Sequence, residues 1–321
     1  MRTLSDAMRA FCDTKKTFCD TKKIICAAKI ILLSFALIFV SCWKNNNSRN
    51  LTGFAAERAK IKKSFRSNLK PPGKYDENLV PLPGVDVVEY KSDSLTLKAW
   101  LGKPAVRKRK YPAVVFLHNL FHLEQSAWLR ASAFLDTGFV VLAPMLRGEN
   151  GNPGNFEFFL GEVDDVIAAG EYLAKLSFID KDNIFLAGNG VGANLAILAS
   201  LLESPFCATA AINALPLKAE TIDDWQNLTD GLLPFNKNDK EQIYIRSPLN
   251  FISEIKCPLF LFADRQSDQL LRFATQICNA AHEKQKKCNL ELFDMQQFSL
   301  KPAIIKIIRE FKSFANAGRR N

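Results

Sequence analysis

Residues 184–195 read Ile-Phe-Leu-Ala-Gly-Asn-Gly-Val-Gly-Ala-Asn-Leu, and this stretch decides the fold. Four apolar residues of strand length lead into a turn with glycine at every second position, and a mostly apolar segment follows. This order predicts a strand, a tight turn and the start of a helix, which together form one unit of a parallel sheet. Glycine-rich turns of this kind also occur in phosphate-binding loops, so the surrounding sequence must show which unit this is.

Apolar strands and amphipathic helices alternate on both sides of this stretch. A hairpin leads, formed by Val85–Tyr90 and Leu95–Leu101. The further strand segments are Ala113–Leu117, Phe139–Ala143, Ile184–Ala187, Ala208–Ile212, Leu259–Phe262 and Leu290–Phe293. The helical segments are Ala127–Leu135, Val163–Leu176, Gly192–Leu202, Leu270–His282 and Ala303–Phe314. Short apolar strands separated by helices predict an α/β fold with a mostly parallel sheet and helices on both faces.

The chain divides into three predicted parts. Residues 1–41 form a leader, residues 42–84 form a polar tether with a short helix at Phe54–Phe65, and residues 85–321 form the α/β domain. Within that domain, residues 215–250 are polar and interrupt the alternation of strands and helices. We interpret them as an insertion above the sheet, of the kind that forms a small lid over a pocket.

Three further segments extend the pattern of residues 184–195. Residues 111–119 read YPAVVFLHN, residues 139–148 read FVVLAPMLRG, and Ser247-Pro248 is followed at 255–259 by IKCPL. In this order they resemble the prolyl-oligopeptidase and dienelactone-hydrolase branch of the α/β-hydrolase superfamily. Gly188 and Gly192 then take the glycine places of its nucleophile turn, G-x-S-x-G. The resemblance covers about residues 85–315 and implies the α/β-hydrolase fold and a hydrolase activity on ester or peptide bonds.

The resemblance also places three catalytic positions, and none carries the expected residue. The serine position is Gly190, the acid position is Ser267 with Asp268 one residue further, and the histidine position is Gln296. Glycine has no side chain to form an acyl-enzyme, and glutamine cannot accept and return a proton as histidine does. A shift of one residue would restore an acid at Asp268, so the loss of the acid stays open.

The oxyanion loop and the nucleophile turn supply the remaining predicted pocket residues. These are His118, Asn119, His122, Asn189 and Val191. A histidine without a nucleophile can still act as a general base toward water, which contributes ~10²–10⁴-fold to a rate. A hydrolase that uses His118 or His122 in this unconventional way is therefore an alternative.

The sequence predicts no metal and no cofactor. No group of His, Asp and Glu has the spacing of metal ligands. The pair Asp164-Asp165 lies in a predicted helix, and we interpret it as a solvated face.

Two of the body cysteines are predicted to form a disulfide. Cys257 and Cys288 each precede a predicted strand, and the resemblance makes these two strands neighbours. Both thiols then lie at one edge of the sheet, where an oxidising compartment permits a bond.

The formal charge of +10 is concentrated at the N-terminus. Residues 1–70 carry 15 Lys and Arg against 4 Asp and Glu, whereas the remainder carries 28 against 29. A neutral body gives no reason to expect a nucleic-acid partner, and basic residues beside an apolar run are typical of a membrane-proximal segment. The 48% hydrophobic content excludes a disordered chain.

The apolar run at residues 30–40 has the form of a secretory signal. It follows several lysines and precedes Ser41-Cys42, and it is too short to span a bilayer comfortably. Phe39-Val40-Ser41-Cys42 resembles the lipobox of bacterial lipoproteins, with Phe39 in place of the usual leucine, and implies lipid attachment at Cys42. An uncleaved signal anchor is the alternative. Either arrangement places the body at the bacterial cell envelope, facing the periplasm or the exterior, with membrane lipid as a partner of the anchor.

Two functions follow from these expectations. The first is an envelope-anchored pseudo-hydrolase, a non-catalytic protein whose pocket binds an unidentified small molecule or protein. The second is a membrane-anchored esterase or peptidase with a rearranged active site.

Overall fold

An eight-stranded sheet forms the centre of the computed structural model, which describes residues 53–74, 76–295 and 299–317. The strands are β1 (Asp86–Ser92), β2 (Leu95–Gly102), β3 (Tyr111–Leu117), β4 (Val140–Pro144), β5 (Ile179–Asn189), β6 (Ala208–Ile212), β7 (Leu259–Asp264) and β8 (Cys288–Phe293). They lie in the order β1-β2-β4-β3-β5-β6-β7-β8. β1 and β2 form the predicted hairpin, β2 runs antiparallel to β4, and all pairs from β4 to β8 across the sheet are parallel. The predicted mostly parallel sheet is confirmed.

Alternate residues of the central strands face two separate apolar cores. In β3, Val115 and Leu117 belong to one core, and Val114 and Phe116 belong to the other. Because both faces of the strand are buried, its sequence is apolar at every position after Tyr111.

Helices cover both cores, as the sequence predicted. They are α1 (Gly53–Ser64), α2 (Gln125–Ala131), α3 (Glu162–Lys175), α4 (Val191–Ser200), α5 (Ile222–Leu228), α6 (Lys240–Arg246), α7 (Asp268–Glu283) and α8 (Lys301–Ala317). Residues of α3, α4 and α7 complete the first core, and residues of α2 and α8 complete the second. Across the described residues, no helix combines the length and the apolar character needed to cross a bilayer.

Helix α1 packs on the α/β body, although the sequence placed it in a tether. Phe54 is 1% exposed, and its ring centroid lies 5.0 Å from that of Phe251. The carboxylate of Glu254 accepts a hydrogen bond from the backbone nitrogen of Phe54 at 3.1 Å. Arg58 forms an ion pair with Asp164 of α3 at 2.7 Å. The packed body therefore begins no later than α1.

Asp165 is fully buried, which corrects the interpretation of Asp164-Asp165 as a solvated face. Arg147 donates to both of its carboxylate oxygens, at 2.8 and 2.9 Å, and Ser92 donates to one of them at 2.5 Å. Burial alone would lower the pKa of Arg147, but its hydrogen bonds to Asp165 and the charge of that carboxylate outweigh burial and raise the pKa. The pair joins the end of β1, the segment after β4 and helix α3.

Cys288 forms its disulfide with Cys278 of α7, so the predicted pairing with Cys257 is wrong. In the register of β7 with β8, Cys288 lies opposite Leu259, two residues beyond Cys257. The Cα atoms of Cys278 and Cys288 are 5.3 Å apart, within the range that a disulfide requires. Cys257 is free, with its sulfur 3.4 Å from the hydroxyl oxygen of Thr209.

The disulfide gives a direct test of this packing. Alkylation without reduction should label Cys207 and Cys257, and peptide mapping should recover Cys278 linked to Cys288. The bond closes a loop with a sequence separation of 10. Cys278→Ala should therefore lower the free energy of unfolding by about 3 kcal/mol, mainly by freeing the unfolded chain. Cys257→Ala is the control and should leave the linked peptide intact. A peptide that joins Cys257 to Cys288 would contradict the structure.

Candidate functional site

The turn between β5 and α4 has the conformation that the sequence predicted. Gly190 has φ +56° and ψ −114°, and its backbone nitrogen donates to the carbonyl of Ile212 at 2.9 Å. A Cβ atom on Gly188 would collide with the carbonyl oxygen of Gly192, and one on Gly192 would collide with that of His118. Glycine at 188 and 192 permits this close approach of backbones, and glycine at 190 adopts the positive φ with little strain.

The carboxamide of Asn119 occupies the space beside Gly190. A Cβ atom on Gly190 would overlap with Oδ1 of Asn119 and lie 2.8 Å from its Cγ. The same Oδ1 accepts a hydrogen bond from the backbone nitrogen of Val191 at 3.3 Å. In hydrolases with a nucleophile turn, the N–H group of the residue after the nucleophile is an oxyanion donor. The Asn119 carboxamide thus occupies the space of a side chain at residue 190, and it also accepts the hydrogen bond of the Val191 N–H group.

A cavity of about 420 Å³ lies over this turn. Its polar wall contains Gly190 and the side chains of Asn119, Asn189, Asn213 and Arg130. Its apolar wall consists of four leucines and a methionine, namely Leu120, Leu215, Leu228, Leu300 and Met295. Leu215 and Leu228 belong to residues 215–250, so the segment predicted as a lid contributes to the wall.

His118 is buried and paired with a carboxylate. Its Nε2 lies 3.0 Å from Oε2 of Glu149, and its Nδ1 lies 3.3 Å from the carbonyl oxygen of Asn119. Burial lowers the pKa of His118, but the charge and the hydrogen bond of Glu149 outweigh burial and raise the pKa. His118 is not part of the cavity wall. The structure therefore makes His118 a support of the loop after β3.

The other predicted pocket residues divide between the cavity and the core. Asn189, at the end of β5, lines the cavity, as Asn119 does. Val191 is 1% exposed and belongs to the first apolar core. His122 is buried outside the cavity wall, with its Nε2 3.3 Å from Oε1 of Glu124. The structure thus brings two of the five predicted pocket residues together at the cavity.

The predicted acid positions do not line the cavity. Ser267 caps α7, with its hydroxyl oxygen accepting from the backbone nitrogen of Leu270 at 3.5 Å. The side chain of Asp268 is 85% exposed and lies 3.7 Å from Arg272 in an i,i+4 ion pair. Neither side chain lines the cavity. Gln296, the predicted histidine position, lies outside the described residues.

Three polar residues near the site were missed from the sequence. Asp264 ends β7 and is buried, and its Oδ1 accepts from the backbone nitrogens of Gln266 and Met295 at 3.2 and 3.3 Å. Asn213 follows β6 with φ +52°, and its Oδ1 accepts from the backbone nitrogen of Asp264 at 2.9 Å. Both residues stand at the carboxyl end of a strand, where ligand sites of open parallel sheets form, and this position was the available signal. Arg130 lies in a helix, and no local pattern marks it.

No group of three His, Cys, Asp or Glu side chains among the described residues has the arrangement of a metal site. The polar cavity side chains are carboxamides and one guanidinium. A guanidinium has no lone pair to donate to a metal, so this wall is suited to hydrogen bonding instead.

The sheet order, the two helical layers and the turn at Gly190 define the class: this chain has the α/β-hydrolase fold. An esterase from Pyrococcus furiosus superposes on it with a TM-score of 0.60 at 18% identity, covering 77% of this chain and 98% of the esterase. Dipeptidyl peptidase 4 from Porphyromonas gingivalis superposes with a TM-score of 0.57 at 17% identity, covering 70% of this chain and 35% of that peptidase. An acylaminoacyl peptidase from Pyrococcus horikoshii superposes with a TM-score of 0.54 at 19% identity. The superposition covers 72% of this chain and 40% of the peptidase. The chain therefore spans about a third to two fifths of these peptidases.

A similar sequence is that of the uncharacterized peptidase YtmA of Bacillus subtilis (strain 168). It is 24% identical over 180 residues, which cover 54% of this chain and 69% of YtmA. No model of a protein family matches the chain.

The contact between Gly190 and Asn119 predicts the effect of adding a side chain at the turn. Gly190→Ser should lower the free energy of unfolding by about 1–3 kcal/mol for the positive φ. Displacement of the Asn119 carboxamide should add to that loss. Gly231→Ser is a matched control, because Gly231 has φ +79° and open space around its Cβ position.

Chemical denaturation of the two variants and of Gly190→Ser combined with Asn119→Gly measures the contribution of the contact. Gly190→Ser should lose more free energy of unfolding than Gly231→Ser, because it also displaces Asn119. The double variant should recover this extra loss. Equal losses in Gly190→Ser and Gly231→Ser would contradict the occupancy of this space by Asn119.

Proposed function

We propose that this protein is a non-catalytic member of the α/β-hydrolase fold that binds a ligand in the cavity over Gly190. One observation carries the proposal. The Asn119 carboxamide overlaps with the place of a nucleophile side chain and accepts from the Val191 N–H group. A substrate carbonyl would have to displace Asn119 to reach that donor, and it would find no nucleophile beside it.

The surrounding residues support the same reading. A catalytic histidine must exchange a proton with the nucleophile, whereas His118 is buried against Glu149 and does not line the cavity. The acid positions carry Ser267, which caps a helix, and Asp268, which is exposed. The exposed or capping roles of these two side chains support the proposal that the acid position is not functional.

A hydrolase with a rearranged site is the second candidate. YtmA is named as an uncharacterized peptidase, and the structural neighbours are peptidases and an esterase. Asp264, a buried carboxylate at the end of β7, is the described residue that best fits the acid of such a site.

Reaction with a fluorophosphonate probe separates the two candidates. We expect no labelling of the protein and no turnover of p-nitrophenyl esters, because no side chain at residue 190 can attack. Gly190→Ser alone should also remain inactive, since a serine without a base is a poor nucleophile. Labelling of the wild-type protein that maps to a body residue, with ester turnover, would establish the hydrolase instead.

We further propose that the body is anchored at the bacterial cell envelope through lipid on Cys42, which lies outside the described residues. The lipobox-like residues 39–42 and the basic N-terminal region support the anchor. The Cys278–Cys288 disulfide supports an oxidising compartment, since such bonds are rare in the cytosol.

Substitution of the proposed lipid-bearing cysteine tests the anchor. Cys42→Ala should block both processing of the leader and incorporation of labelled fatty acid, because the thiol is the attachment point. Cys26→Ala is the matched control and should be processed and labelled like the wild-type protein. Unchanged mass and labelling in Cys42→Ala would remove the lipoprotein assignment.

A further inference from the structure

We infer that the cavity over Gly190 binds a small carboxylate that carries an aliphatic chain. The inference rests on the proposed binding function and names the chemical class of its ligand. It follows from the hydrogen-bonding groups that the wall leaves unused and from the apolar residues that line the same cavity.

The first observation is an unsatisfied carboxamide in the cavity wall. Asn189 is 8% exposed, lines the cavity and forms no side-chain hydrogen bond to any described residue. Its amide atoms are open to the cavity and not sealed in the core, so they are free to hydrogen-bond with water or with a polar group of a ligand. Asn189 therefore indicates that a polar ligand group or water completes its bonding.

The second observation is the orientation of the other two carboxamides. The oxygen of Asn119 accepts from the backbone nitrogen of Val191, and the oxygen of Asn213 accepts from that of Asp264. Backbone N–H groups can only donate, so these bonds fix which end of each amide is the oxygen. The amide nitrogens of Asn119 and Asn213 remain as donors, with no hydrogen bond to a described residue. Asn119 and Asn213 thus offer donors to the cavity, and acceptor groups of a ligand can meet them.

The third observation is the charge at the same wall. Arg130 lines the cavity, and its Nη2 donates to the hydroxyl of Ser126 at 3.3 Å. No carboxylate of the described residues lies within ion-pair distance of its guanidinium. Burial lowers the pKa of Arg130, and the charge of Glu124 partly opposes this effect. Asp264 is buried nearby, but backbone donors occupy its Oδ1 and it is not part of the wall.

The fourth observation is the apolar side of the cavity. Four leucines and Met295 line the same cavity of about 420 Å³, a volume in the range of small-molecule sites. An acceptor-rich anionic group with an aliphatic chain matches both walls. A carboxylate suits an arginine and amide donors through its two oxygens. A free fatty acid and the C-terminus of a peptide with an apolar last residue share this chemistry.

Calorimetric titration of the whole protein tests the inference with octanoate, with its neutral analogue octanamide, and with N-acetyl-leucine as a mimic of a peptide C-terminus. We expect octanoate or N-acetyl-leucine to bind at least tenfold more tightly than octanamide. Tighter binding of octanoate would indicate a fatty acid as the ligand, and tighter binding of N-acetyl-leucine would indicate a peptide C-terminus. Arg130→Gln should weaken carboxylate binding about tenfold and leave octanamide unchanged, and Arg130→Lys should retain part of the affinity. The exposed Arg107→Gln is the matched control and should change nothing.

Binding of neither carboxylate, equal affinity for octanoate and octanamide, or full affinity in Arg130→Gln would overturn the inference. Ester turnover, measured separately, decides the proposed function. An inactive protein that binds no carboxylate would refute the ligand class alone. An active protein that binds octanoate would refute the non-catalytic function alone.

Discussion

The close approach of two backbones at the carboxyl edge of the sheet determines the rest of the site. The carbonyl of His118, after β3, lies against Gly192, at the start of α4, where only a residue without a Cβ atom fits. This contact brings the loop after β3 over the turn after β5. Asn119 then stands beside Gly190 and accepts from Val191. In this geometry the loop after β3 supplies the acceptor for the backbone donor at Val191.

Two buried side-chain pairs hold the chain that surrounds this contact. His118 is paired with Glu149, whose carboxylate also accepts from the backbone nitrogen of Leu146 at 2.8 Å. Arg147, the next residue, is paired with Asp165. Removing one partner of a buried pair leaves an uncompensated charge, at a cost of about 3–5 kcal/mol. Both pairs therefore fix the segment after β4 against β3 and α3. These paired groups lie outside the lining of the cavity.

The part of this structure that could be predicted from sequence is the part with local signals. The hairpin, the apolar strands and the glycine turn follow from periodicity and backbone sterics, and all were found. The glycine at residue 190 lies in the predicted tight turn and takes the positive φ that such a turn between strand and helix can require. Apolar runs without polar alternation correctly indicated strands buried on both faces.

What could not be predicted depends on partners distant in sequence. Asp165 looked solvated because its partner Arg147 lies 18 residues earlier and on another element. Cys288 was assigned to the wrong thiol because strand register and the packing of α7, not proximity to a strand, select Cys278. Asn119 was expected in the oxyanion loop, but its contact with Gly190 depends on the exact approach of two loops. No pattern in either loop reports that distance.

Hydrogen exchange of the Val191 amide, followed by NMR, tests the central claim most directly. In the described structure the acceptor for this N–H group is Oδ1 of Asn119. The account predicts that the Val191 amide is protected in the wild-type protein and exchanges at least tenfold faster in Asn119→Ala, while amides in the middle of β5 are unchanged. Equal exchange of Val191 in the two proteins would mean that Asn119 does not occupy the donor, and the central claim would be wrong.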